Sequence, residues 1–140
     1  MKGFLFGVIW LMLAVPALAQ RNPTPPAEQK MCSEAAAKFF REDYGNDKKE
    51  RFNTYTSHFN VKLNRCLIST LTIDDNLHTQ AVFVTDVFER VWLAHFIKLV
   101  GSEKEDKGQG AAHSLAIGGM VNCDGDEDKF KRLVDALMTN

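Results

Sequence analysis

The residues of this chain best equipped for chemistry gather in two short stretches. Ser57-His58-Phe59-Asn60-Val61-Lys62-Leu63-Asn64-Arg65-Cys66 sets an imidazole, two carboxamides, two cations and a thiol side by side. Thr85-Asp86-Val87-Phe88-Glu89-Arg90 adds two carboxylates, and Asp86 interrupts an otherwise apolar run. A histidine with a carboxylate is the smallest set for general acid–base work, and a buried carboxylate shifts its pKa toward that use. His58 with Asp86 or Glu89 is thus the pair on which a small hydrolase or a metal-dependent enzyme would rest. Ser57, His58 and Asp86 can be written as a triad, yet no nucleophile-turn motif surrounds the serine. An acid near a strand end is more often held by a cation, and Arg65 on the neighbouring strand is available to Asp86. His58, Asn60, Asp86 and Glu89 therefore stand as candidate binding residues, with no catalytic set assigned.

Metal chemistry finds little support. His58, His78, His95 and His113 include no pair at the spacing of three or four that puts two imidazoles on one helix face. A transition-metal set drawn from His58, His113 or Cys123 depends wholly on the fold. Asp124-Gly125-Asp126-Glu127-Asp128 opens like a calcium loop and has Asp135 at the twelfth place, but Lys129 occupies the sixth, where such loops need glycine. The same acids fit a helix N-terminus, with Asp124 as cap and Glu127 three residues on. No metal or other cofactor is expected.

The elements that must position these groups follow from periodicity. From Pro26 to Glu42 two stripes, Met31-Ala35-Phe39 and Cys32-Ala36-Phe40, recur at spacing four, which predicts an amphipathic helix with Cys32 inside. Asp47 to Thr54 is charged and reads as a loop or short second helix. Residues 61–73 are rich in β-branched side chains and end in the turn cluster Asp74-Asp75-Asn76, so they read as a strand. Residues 79–88 and 91–100 give two more, and Ala111 to Cys123 a weaker fourth with Gly118-Gly119 at a bend. Phe130, Leu133, Val134, Leu137 and Met138 mark the core face of a C-terminal helix. The fold class is α+β: an N-terminal helix, an antiparallel meander of three to four strands and a C-terminal helix.

Residues 1–19 join Lys2 to an apolar stretch, a Pro16 break and the exit Ala17-Leu18-Ala19, the pattern of a secretory signal peptide. The apolar run is shorter than the roughly 20 residues a spanning helix needs, so no membrane span is expected. Residues 20–27 form a Pro-rich, extended lead-in, and residues 28–140 one domain. Loss of Lys2 with the leader takes the 17 basic residues to 16 against 18 acids, a net charge of −2 that gives no electrostatic case for nucleic acid. The expected location is the periplasm or the extracellular space.

Three cysteines in an exported chain suggest one bridge and one remaining thiol that is buried, reactive or joined to another molecule. A helix of about 11 residues from Cys32 rises roughly 16 Å, and a strand returning from His58 regains that height near Asn64 to Cys66. Cys32 to Cys66 is the favoured bridge, with Cys123 the candidate free thiol. Cys32 to Cys123 and Cys66 to Cys123 remain the alternatives.

Strands 79–88 and 91–100 are apolar on both faces: Ala81-Phe83-Val87 against Val82-Val84-Phe88, then Val91-Leu93-Ile97 against Trp92-Ala94-Phe96. Such a sheet needs cover on both sides. Either the helices split between the faces, or both lie on one and the other meets a ligand or partner, a second copy of the chain or an envelope protein. The segments MCSEAAAKFF, SHFNVKLNRC, TDVFER and DEDKFKRLVDALM together resemble small exported bacterial proteins carrying an H-[YF]-N-x-K-L-x-x-C segment. That resemblance implies export and the pattern of elements, and it brings no assigned activity. The expectation is a non-enzymatic binding or interaction domain.

Overall fold

A computed structural model describes residues 26–45, 51–101 and 107–139. The expected signal peptide and the lead-in up to Pro25 lie outside the described residues. Helix α1 spans Pro26–Tyr44. Proline suits the first turn of a helix, where its missing N–H leaves nothing unpaired, so Pro26 and Ala27 belong to α1 and not to an extended lead-in. The buried face is narrow, comprising Cys32, Ala36 and Phe39 at helical spacing.

Six strands follow in strict sequence order as one antiparallel meander: β1 Arg51–Asn60, β2 Arg65–Asp74, β3 Thr79–Asp86, β4 Trp92–Leu99, β5 Gln109–Ser114 and β6 Gly119–Asn122. The α+β class and both terminal helices stand as expected, but the meander is longer than three to four strands. β1 occupies part of the stretch read as loop or helix. Its charged approach masks a segment in which Phe52, Thr54, Tyr55, Thr56 and Phe59 all favour a pleated backbone. The strand expected from Val61 begins instead at Arg65, since Val61 to Asn64 form the β1–β2 turn, with Asn64 at φ 52°. The single weak strand expected over 111–123 is a hairpin: β5 and β6 flank a turn in which Gly118 adopts φ 66°, a conformation glycine takes without steric cost.

α2, Glu127–Thr139, ends the fold. Its cap is Asp126, whose Oδ1 accepts the Lys129 N–H at 2.8 Å, and not Asp124. Asp124 instead accepts from the Gly110 N–H at 2.8 Å and Asn122 Nδ2 at 2.9 Å, closing the chain from β6 back onto β5. These donors hold its carboxyl below the usual carboxylate range.

The two helices cover opposite faces. α2 crosses one face from β5 to β1, where Leu67, Val84, Phe96 and Ala112 pack against Phe130 and Leu137. α1 lies on the other face over β1 and β2, packing Cys32, Ala36 and Phe39 against Phe59, Cys66 and Ile68. Alternation along β2 decides the split, since Cys66 and Ile68 belong to the α1 side and Leu67 between them to the α2 side.

Close approach under α2 requires glycine at position 110, where an added Cβ would lie 2.3 Å from the His95 carbonyl oxygen and 2.8 Å from Phe96 Cα. Both neighbours are backbone and cannot swing away. Gly110→Ala is expected to destabilise the fold by about 2 kcal/mol through forced displacement of β4 from β5; urea denaturation measures it, and an unchanged midpoint would refute this packing.

Candidate functional site

Asn60, Arg65 and Asp86 come together at one end of the α2 face. Asn60 is the last residue of β1 and is fully buried. Its Nδ2 donates to the Leu137 carbonyl at 2.7 Å, and its Oδ1 accepts the Leu63 N–H at 2.9 Å. One side chain thus ties the β1–β2 turn to the last turns of α2. Asp86, the last residue of β3, has a side chain 3 % exposed. Its Oδ2 accepts from Arg65 Nη1 at 3.1 Å, and its Oδ1 accepts the Phe88 and Glu89 N–H groups at 2.9 and 3.0 Å. The ion pair expected from the sequence is present, and the same carboxylate organises the β3–β4 turn.

His58 and Asp86 lie on one face but do not meet. Each stands opposite Leu67, in the registers His58 to Leu67 and Leu67 to Asp86, so two strand spacings of about 5 Å separate their backbones and the buried leucine lies between. Glu89 is exposed on the turn, and its N–H is turned to Asp86. An open recess of about 300 Å³ lies over Leu63, Asn64, Arg65 and Asp86. Glu89 borders it too, and of its polar lining the Asp86 carboxylate and Arg65 Nη1 are engaged in internal hydrogen bonds. Among the described residues no three His, Cys, Asp or Glu side chains converge to hold a metal ion.

The turn also contains a residue the sequence did not single out. Arg90 adopts φ 54°, unusual for a side chain of its size. Its guanidinium reaches α1, donating to Glu42 Oε2 at 2.9 Å and Asp43 Oδ1 at 3.2 Å and standing 5.0 Å over the Phe39 ring. Those contacts offset the backbone cost. They also explain how Glu89-Arg90 forms a turn without the asparagine or glycine that tight hairpins prefer. No local signal in the sequence could have shown this, because the contact spans the chain from residue 42 to residue 90.

The cysteines divide as favoured. Cys32 and Cys66 form a disulfide with Cα atoms 5.2 Å apart, and Cys123 is free and buried in the α2-side core. Burial pushes the Cys123 thiol up, the Lys129 charge opposing it only partly. A bond from Cys123 to another molecule would require opening that core.

The surface without internal explanation is the other half of the α1 face. α1 reaches β1 and β2, and β3 to β6 extend past it. β5 shows the consequence residue by residue: Gly110, Ala112 and Ser114 are buried under α2, while Gln109 is exposed and Ala111 and His113 are partly open. Across this half-sheet lie Phe83, Trp92, Ile97, Leu99 and Met120. Trp92 is 64 % exposed, Ile97 43 %, Leu99 50 % and Met120 52 %. The Trp92 ring sits 5.1 Å from Phe83 and 6.2 Å from His95. The register joins these into one patch, pairing Ala81 with Ile97, Phe83 with His95, and His113 with Met120. No protein-family model, curated protein or solved structure matches the chain. Function must be read from this geometry alone. Among the described residues no helix is long and apolar enough to cross a membrane.

Proposed function

We propose that the protein is an exported, non-enzymatic interaction domain that self-associates through the open half of its α1 face. The observation that carries this reading is the patch of Trp92, Ile97, Leu99 and Met120 on the half-sheet that α1 leaves open, while α2 packs on the other face. Large apolar patches on a soluble fold mark interaction surfaces. The occupant is a second copy because the patch strands place no carboxylate, lysine or arginine on this face, only His95 and His113 as titratable groups. An apolar strip of this kind is complementary to itself, as a two-fold interface requires, and Asp124, whose carboxylate interacts with His95, stands just outside its strands. Two such half-sheets would stack as the layers of a sandwich, about 10 Å apart. Export is supported by the leader pattern of residues 1–19 and by the Cys32–Cys66 bond, which fits an oxidising compartment.

Sedimentation equilibrium tests this reading. The wild-type chain is expected at twice its monomer mass, and the Trp92→Glu, Ile97→Glu double variant at monomer mass with unchanged far-UV circular dichroism. A wild-type monomer at the highest soluble concentration would overturn it.

A further inference from the structure

A second opening, on the opposite face, is independent of the self-association surface. Between α2 and strands β3 and β4 lies a cleft of about 130 Å³. Its floor is Val82, Phe96, Phe130 and Val134, with the two phenyl rings 5.1 Å apart. These side chains offer water no hydrogen-bond partner, and the volume is close to that of apolar protein cavities that accept a benzene ring. The mouth is charged. Lys98 Nζ lies 2.8 Å from Glu127 Oε2, and Lys131 Nζ lies 2.9 Å from Glu127 Oε1. Two ammonium groups therefore share one carboxylate, and although Asp135 brings the four charges of the mouth to zero, each lysine keeps donors to spare.

We propose that this cleft binds a small amphipathic carboxylate whose apolar body is about the size of one aromatic ring. The ring enters between Phe96 and Phe130, and the carboxylate stays at the mouth. Asp135 borders the mouth one turn beyond Lys131 on α2 and repels an anion from that side. Lys98 and Gln80 border it from the sheet and are direct partners across β3 and β4, so an ammonium and a carboxamide stand side by side at the mouth. The carboxylate therefore sits over Lys98 and Gln80. A ring without an anionic group would lose that contact, and a bulky polyanion such as a nucleic acid would find one narrow mouth and no basic track.

Titration of ¹⁵N-labelled protein with phenylacetate, followed by amide shifts, tests the assignment, with 2-phenylethanol as the uncharged analogue of the same size. Saturable shifts are expected at Val82, Phe96, Phe130 and Val134, with 2-phenylethanol at least about tenfold weaker. Lys98→Met, at the rim, is expected to remove that tenfold preference while leaving 2-phenylethanol binding within about twofold. Val134→Trp fills the cleft and is expected to abolish binding of both. Absence of saturable shifts, shifts centred on Trp92 and Ile97, equal affinity for the two compounds, or a preference unchanged in Lys98→Met would each overturn the proposal. The Lys98 variant keeps the test decisive should the tryptophan not be accommodated.

Discussion

Replacing both Cys32 and Cys66 by alanine is expected to lower the unfolding free energy by about 4 kcal/mol. The bridge closes a sequence separation of 34 residues, and the chain-entropy cost it removes from the unfolded state at that length is about 4 kcal/mol. Its position makes the loss local as well as global. α1 buries only Cys32, Ala36 and Phe39, and its outward ion pairs Lys30 to Glu34 and Lys38 to Glu42 are solvent-exposed and worth a few tenths of a kcal/mol. Beyond the bridge, α1 is held at its ends by the Phe59 N–H donating to Gln29, by the Tyr44–Thr70 hydroxyl pair, and by the Arg90 clamp. The α2-side core shares none of these contacts. Without the bridge, α1 is therefore expected to detach at lower urea than the sheet with α2, giving two transitions by circular dichroism where the oxidised protein gives one. A loss below 1 kcal/mol, or a single unshifted transition, would refute this account of α1.

The second large effect belongs to Asp86. Asp86→Ala strips the partner from Arg65 and leaves the Phe88 and Glu89 N–H groups without their acceptor, at an expected cost of about 3 kcal/mol. Asp86→Asn keeps one oxygen for those two N–H groups and loses only the charge of the pair. Arg65 is 40 % exposed, so water compensates much of that loss, and about 1 kcal/mol is expected. The gap between the two variants in urea denaturation measures the turn-organising role. Equal costs would mean that the charge pair, and not the turn, is what Asp86 serves.

Asp86 also shows how far residue types alone could be read. Its pairing with Arg65, the Cys32–Cys66 bond and the two amphipathic helices follow from periodicity and from heights along a helix and a strand, so they were legible. Asn60 was visible as unusual, but its work depends on the Leu137 carbonyl, a contact across most of the chain that no local pattern encodes. β1 was hidden because both of its faces, one toward α1 and one toward α2, mix polar residues with aromatics and leave no clean apolar alternation. The doubly apolar character of β3 and β4 was legible and was ambiguous between two arrangements. The fold realises one of them only partly. The helices do split between the faces, yet α1 is too far toward β1 to cover β3 to β6, and this offset creates the open patch.

That patch carries the functional reading, and Trp92 reports on it directly. The chain has two tryptophans, Trp10 within the expected leader and Trp92 within the patch. In protein beginning at Gln20, the emission maximum of Trp92 measured against protein concentration tests self-association at the surface itself. A shift to shorter wavelength that grows with concentration and vanishes in Ile97→Glu is expected. Emission typical of water-exposed indole at every concentration would contradict the account.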